Sequence, residues 1–446
     1  LDYVFELFRR LFRLLSTQTA FMSQQKTALG KLIGTLHLWL GLASGIVIIV
    51  LGLTGAIYVF TDEIKPLVYQ DRLFIQPENK PKLPLSQLLA AAQQAVGEKR
   101  PVTRVEISSE PDRTYIFRAL KVDKEGFSHW DYYKYYQRAY VNPYNGKVVK
   151  LEDSKNEFFT ILLGLHMRML FGEKIGHAVV SYSVLAFVLI LISGLVLWWP
   201  AKWNKSGRNK SFKIKWNAKW KRVNYDLHNV LGFYACVILF VCAVTGLVWA
   251  FDWFEKGVKT VADGGKLVEV PAVLSDTTQN KDVQAVDRVL AALQTDQPNA
   301  YGYLINFPAK GKLPMNASTY LTASNRYDRI QGQYDQFTGA KLRSRSFREL
   351  TNGEKAYALN FDLHVGAWAG LPSKILTFFA GLICASLPVT GFVIWWGRRK
   401  KEGKGGRGVK GGKGGRKMVA ARKSGARTLP EPAYVSISPR LSEEEK

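Results

Sequence analysis

Cysteine is scarce in this sequence: three residues among 446, with no CxxC or CxxCH. That excludes a disulfide framework, a structural zinc ribbon and a covalently attached c-type haem. HExxH, a P-loop and any Ser/His/Asp arrangement are also missing, so hydrolysis and nucleotide-driven transport lose their usual supports. Acidic side chains are outnumbered, 36 Asp and Glu against 62 Lys and Arg, for a net charge of +26. Apolar residues are plentiful, at 47% of the chain, which excludes a disordered protein.

The location of the positive charge decides between nucleic acid and membrane as its partner. Residues 1–31 carry +3, residues 200–224 carry +9 and residues 398–427 carry +12, nearly the whole excess. Each block flanks a long apolar run. Four such runs, 37–60, 177–199, 226–251 and 374–396, reach the roughly 20 residues a helix needs to cross a bilayer. Lys and Arg accumulate on the cytoplasmic side of spans. The N-terminus (1–36), the 200–224 loop and the tail (397–446) are therefore expected in the cytoplasm, and 61–165 and 252–363 on the outer face.

Two ends stand apart. Residues 3–15 (YVFELFRRLFRLL) read either as an amphipathic interfacial helix or as an upstream extension before a start at Met22. No cleavable signal peptide is expected, because the first apolar run is too long and lacks a small-residue cleavage site. The basic, glycine-rich tail around 400–417 predicts a disordered segment near anionic lipid. It has no base-reading element, so no nucleic-acid partner is expected.

The two halves repeat. Leu36-His37-x-x-Leu40-Gly41 followed by Thr54-Gly55 matches Leu227-His228-x-x-Leu231-Gly232 followed by Thr245-Gly246, with 17 residues from His to Thr in both. Leu165-His166 leading to Ser193-Gly194 and Trp198-Trp199 matches Leu363-His364 leading to Thr390-Gly391 and Trp395-Trp396. Between the spans, helical periodicity at 84–96 and 283–294 precedes short alternating runs at 102–108, 114–121, 132–141, 301–307, 317–323 and 327–335. Turns follow at Asn145-Gly146 and Thr338-Gly339. The fold class is thus a four-span α-helical membrane bundle in two pseudo-repeats, carrying two small α+β domains.

A small domain ending in a D-P-x-T-G-like turn, set among four spans with LHxxLG and a closing Trp-Trp, resembles the PepSY-associated transmembrane proteins. The likeness covers about residues 25–397. Asn142 and Asn145 in the first turn and Gln336 in the second depart from the family pattern. The family is an iron-regulated inner-membrane group that includes ferric-siderophore reductases. The resemblance therefore implies the bacterial inner membrane, PepSY-like domains in the periplasm, and a ferric siderophore with an unknown cytoplasmic or membrane electron donor as partners.

Five of the six histidines lie in or beside a span: His37, His166, His177, His228 and His364. Ionisable side chains in membrane helices are functional candidates by default, and imidazole is a usual axial ligand of haem. His37 and His228 match in depth near the cytoplasmic edge, and His166 and His364 near the outer edge. These four are the expected iron ligands of two b-type haems. His177 is either an alternative outer ligand to His166 or an interfacial cap. Gly41 and Gly45 share a helix face with His37, as Gly232 does with His228, and offer clearance for a macrocycle. Met167 and Met169 are expected to pack rather than ligate, and Arg168 to meet a haem propionate or lipid headgroups. Trp39, Trp198, Trp199, Trp395 and Trp396 read as an aromatic belt, while Cys236, Cys242 and Cys384 are given no role. The aromatic run Phe127–Tyr136 reads either as an exposed tyrosine strand or as a stacking surface for a planar ligand. The expected activity is a di-haem oxidoreductase releasing ferrous iron from a ferric siderophore. The rivals are a non-redox PepSY-type anchor for a protein partner, and a haem or siderophore permease.

Overall fold

The computed structural model describes residues 28–200, 203–268, 270–280, 282–308 and 311–405. Residues 3–15, read as an interfacial helix or as an upstream extension, and the basic tail beyond 405 lie outside these residues. Among the described residues, four helical stretches are long and apolar enough to cross a membrane: Ala28–Tyr58, Glu173–Trp198, Trp220–Ala250 and Leu371–Arg399. They begin up to nine residues earlier than the apolar runs, because helix continues into the flanking polar sequence. The last continues to Gly405, into the segment expected to be disordered.

The elements that position the site are, in order, α1 (Ala28–Tyr58), α2 (Leu85–Val96), β1 (Val102–Ser108), β2 (Tyr115–Val122), β3 (Tyr133–Val141), β4 (Val148–Asp153), α3 (Phe158–Arg168), α4 (Ala178–Trp198), α5 (Gly232–Ala250), α6 (Ala285–Asp296), β5 (Gly302–Asn306), β6 (Met315–Tyr320), β7 (Arg329–Tyr334), β8 (Lys341–Arg345), α7 (Asn352–Val365) and α8 (Leu371–Gly405). Spans α1, α4, α5 and α8 meet through Ile48, Phe187, Leu191, Ala235, Leu239, Ala243, Ala380 and Cys384. Small residues allow the closest approach, as in membrane helix pairs. A Cβ on Gly52 would fall 2.7 Å from the Gly381 carbonyl oxygen, so α1 and α8 cross nearly backbone to backbone.

The extramembrane part corrects the expectation of two separate domains. Among the described residues, the eight strands form one antiparallel sheet in the order β4-β3-β2-β1-β5-β6-β7-β8. The halves join where β1 pairs with β5, from Arg104 opposite Asn306 to Ser108 opposite Gly302. Pairing the two innermost strands removes two edges that separate four-stranded sheets would expose. Strand alternation sends Val105, Ile107, Phe117, Ala139, Ile305 and Ala317 to one face, under α2 and α6. Strands β4 and β8 escaped the sequence pattern because both are edge strands: β8 is mostly polar, and β4 (VVKLED) does not alternate. The two expected turns are present, with Gly146 and Gly339 at φ 74° and 75°, a conformation glycine adopts without Cβ strain.

The aromatic run 127–136 divides: residues 133–136 open strand β3, as the tyrosine-strand reading expected, while His129–Tyr132 form a short helical turn. His129 is fully buried and anchors α3 on the sheet: its Nε2–H donates to the Lys155 carbonyl at 2.8 Å, and its backbone N–H donates to the Leu170 carbonyl. A Cβ on Gly164 would overlap the His129 ring, so α3 docks there only because that residue is glycine. Burial pulls the His129 imidazole below its ordinary value of 6.5. The folded state therefore resists a proton that the unfolded state accepts, and stability falls as pH drops below 6.5 until the folded pKa is passed. The expected slope in that window is up to about 1.4 kcal/mol per pH unit. Thermal melts at pH 7.5 and 5.5 check it, and His129→Gln flattens the part due to this residue.

Candidate functional site: two facing histidine pairs

The four matched histidines come together two by two. His37 on α1 faces His228 with ring centroids 6.4 Å apart and planes at 90°. His166 on α3 faces His364 on α7 at 6.1 Å and 78°. The levels are set by α1, which carries His37 and, 17 residues on, Thr54, the partner of His166. That is about 25 Å of helix rise.

Each imidazole is held in the same way. Nδ1 of His37 bonds Ser193 Oγ at 3.0 Å, and Nδ1 of His166 bonds Thr54 Oγ1 at 2.9 Å. Nδ1 of His228 bonds Thr390 Oγ1 and Nδ1 of His364 bonds Thr245 Oγ1, both at 2.9 Å. Every one of these hydroxyls already donates its single proton to a backbone carbonyl of its own helix, at Ile190, Val50, Ser386 and Val241. The hydroxyl must then accept, so Nδ1 carries the hydrogen and Nε2 keeps its lone pair. No Nε2 of the four has a hydrogen-bond partner among the described residues. This is the tautomer a metal-ligating histidine needs, with its other nitrogen fixed by a hydrogen bond.

Glycine after the hydroxyl residue lets the ring in. A Cβ on Gly194, Gly55 or Gly391 would sit 3.1–3.2 Å from Cε1 of His37, His166 or His228, and on Gly246 3.7 Å from Cε1 of His364. The sequence pattern contained these Ser/Thr-Gly pairs but not their purpose. The glycines chosen for clearance divide: Gly41 borders open space, whereas Gly45 packs against Pro388 and Gly232 against Leu387.

Two asparagines escaped notice altogether. Asn224 Nδ2 donates to the Thr390 carbonyl, and Asn360 Nδ2 to the Thr245 carbonyl, both at 3.0 Å. Each precedes its histidine by four residues, so side chains on one helix face grip both the backbone and the hydroxyl of one threonine. The Asn-x-x-x-His spacing at 224–228 and 360–364 was the available signal. His228 also lies in a π-turn, Leu227–Leu231, a local widening often found at functional positions.

His177 is not brought to either pair. Met169 and Leu170 have φ of 55° and 61°, so the chain turns after α3 and no continuous helix joins His166 to His177. His177 ends the π-turn that opens the second span. Arg168 is also corrected: it is buried, lies over Tyr132 at 4.1 Å and pairs with Glu173 at 3.8 Å, so it braces the aromatic segment. Trp198 is not part of a belt, for it is buried, stacks on Phe233 at 3.8 Å and donates to the Ser211 carbonyl. Trp39 and Trp396 are exposed. Cys242 Sγ donates to the His364 carbonyl at 3.4 Å, a minor packing contact.

A family model, the PepSY-associated TM region, matches residues 35–398. The chain belongs to the PepSY-associated transmembrane family. The match takes in the apolar runs of all four spans, both histidine pairs and the whole sheet, so this PepSY-family chain is a membrane protein in which every residue of the site falls inside the shared region. No curated protein matches the sequence.

Imidazole pairs of this kind fit haem better than a bare metal ion. Among the described residues, no three His, Cys, Asp or Glu side chains cluster as a metal site, whereas haem asks the protein for only two axial ligands. Imidazole nitrogens bind metals at about 2 Å. With about 1 Å more from nitrogen to ring centre, two rings on opposite sides of one metal have centroids about 6 Å apart. Both pairs have that spacing.

Proposed function

We propose that this PepSY-family protein is a di-haem reductase of the bacterial inner membrane, with both termini in the cytoplasm and the sheet in the periplasm. It takes electrons from a cytoplasmic or membrane donor and reduces a ferric-siderophore complex. The observation that carries this reading is the double pair: four imidazoles in one tautomer, facing in twos, at two depths. His37 and His228 would hold one b-type haem, and His166 and His364 the other. Haem bound there supplies a one-electron carrier whose potential is tuned by its axial ligands and by the dryness of the site.

The residues do the positioning. Ser193, Thr54, Thr390 and Thr245 fix the tautomers, Asn224 and Asn360 fix the helices that carry two of the rings, and the packed spans exclude water. The donor loses one electron and the ferric ion gains it. Ferrous iron binds oxygen donors less tightly and is released. The repeated sequence motifs and the matching strand orders on either side of the β1–β5 seam support an origin in duplication, which accounts for two equivalent sites in one chain.

Detergent-purified protein is expected to show a Soret band and sharp reduced α-bands, with about two haems per chain. Reconstituted vesicles containing a trapped reductant are expected to reduce an external ferric siderophore. A colourless preparation that stays apo after haem addition overturns the reading in favour of an anchor. Substoichiometric, readily exchanged haem overturns it in favour of a permease.

A further inference from the structure

The face of the sheet turned away from α2 and α6 carries a row of like charges. Arg138 stands opposite Arg118 in the β2–β3 register, and Arg118 opposite Arg104 in the β1–β2 register. Like charges directly opposite one another in a sheet destabilise it. Arg138 is compensated by Glu152 at 3.4 Å. Arg118 and Arg104 form no ion pair among the described residues. Burial first, and Arg104 next, push the Arg118 guanidinium below its ordinary value.

This row runs to the edge of a cleft of about 560 Å³ lined by Arg104, Glu106, Arg113, Tyr301, Arg326 and Arg329, among others. That volume is within the range of small-molecule sites. Arg113 pairs with Glu110 and Arg326 with Asp62, but Arg329, like Arg104, has no carboxylate partner among the described residues. On the cleft wall the donor Arg329 Nε is buried without a hydrogen bond among the described residues, as is Arg118 Nε. Such orphaned groups are costly unless something completes them.

The cleft is also joined to the upper histidine pair. The Arg326 backbone N–H donates to Asp362 at 3.0 Å, and its guanidinium lies 4.8 Å from the centre of the Phe361 ring. Asp362 and Phe361 precede His364 by less than one turn of α7. Trp249 fills the gap, with ring centroids 6.4 Å from Phe361 and 5.1 Å from His364.

We propose that this cleft binds a multiply anionic, oxygen-donor chelate of a trivalent metal, with Arg104 and Arg329 as its anchoring cations. Resting on the reductase reading, this makes the protein selective for ferric complexes of negative net charge, such as tris-catecholates, over neutral hydroxamate complexes. Guanidinium groups suit such a ligand because they present paired donors to oxygen anions and give up water readily. The cost of the unligated arginine row is offset when the anion arrives.

The test uses the full chain in detergent and redox-inert gallium(III) chelates, so that binding is read without any haem chemistry. The gallium tris-catecholate is expected to bind at least about tenfold more tightly than the neutral gallium tris-hydroxamate, with affinity falling as salt rises. Arg104→Gln with Arg329→Gln is expected to remove that preference. Arg104 Nε also donates to Asn306 Oδ1 at 2.7 Å, so Arg104→Gln removes that bond together with a like-charge contact, and the unligated melting temperature is expected to change little. Equal affinity for the two chelates, or an undiminished preference in the double variant, overturns the proposal. So does inorganic phosphate binding as tightly as the catecholate, which would mark a general anion or headgroup site. Failure of haem binding alone would sink the reductase reading and leave this binding result standing.

Discussion

Alanine at His37 is expected to remove one of the two haems, and alanine at His228 to remove the same one. Their rings face each other at 6.4 Å, so the loss of either leaves its partner a single ligand on one face. The haem count falls from about two to about one per chain in each variant, and also in the His37→Ala/His228→Ala double variant. The double variant is expected to lose no more than either single, since both residues serve one site. His166→Ala and His364→Ala form the second set, acting on the haem that the first set leaves untouched. His177→Ala is expected to retain both. Reduced-minus-oxidised spectra with pyridine haemochrome counts check this. Loss of different haems in His37→Ala and His228→Ala would refute the pairing, as would loss of a haem in His177→Ala.

The second large effect is expected where no histidine is touched. Gly391→Leu places a branched side chain where Cε1 of His228 already stands 3.2 Å from the would-be Cβ, and Gly55→Leu does the same to His166. Neither ring can retreat without breaking its Nδ1 bond to the preceding threonine. Each variant is expected to lose the corresponding haem as completely as the histidine deletion. Thr390→Val and Thr54→Val are milder: the space remains, but the tautomer is no longer fixed. Loss of such an outer hydrogen bond typically costs 10–100-fold in affinity. Haem titration of the apo-protein ranks the three classes, and a glycine variant with wild-type haem content would show that the ring does not need that clearance.

These expectations rest on features that differ in how far the sequence alone reveals them. Spans are legible because a bilayer demands a long local run of apolar residues, and a run is a property of consecutive positions. The histidines stood out because five of the six in the chain were concentrated where ionisable groups are expensive. The hairpin turns were legible because glycine at positive φ is a local requirement, met at Gly146 and Gly339.

Other features were decided between segments. His177 stood as an alternative to His166 until the turn at Met169 and Leu170 separated them. Trp198 looked like any interfacial tryptophan until Phe233 was found stacked beneath it. Asn224 and Asn360 show in the sequence only as a repeated Asn-x-x-x-His spacing. Their meaning lies in the threonine carbonyls they reach, 166 and 115 positions away in sequence.

By itself, the sequence determined a four-span membrane chain, its repeated His and Ser/Thr-Gly motifs, the two helices that pack on the sheet and most of the strands. These follow from local patterns along the chain; the helices α3 and α7, which carry His166 and His364, were not among them. Only the tertiary structure decided which imidazole faces which, that each rests on a Ser/Thr-Gly step of a neighbouring helix, and that two four-stranded halves close into one sheet over an arginine-lined cleft. Those outcomes depend on close packing and cross-strand register between distant segments, where a shift of one residue turns a side chain to the opposite face.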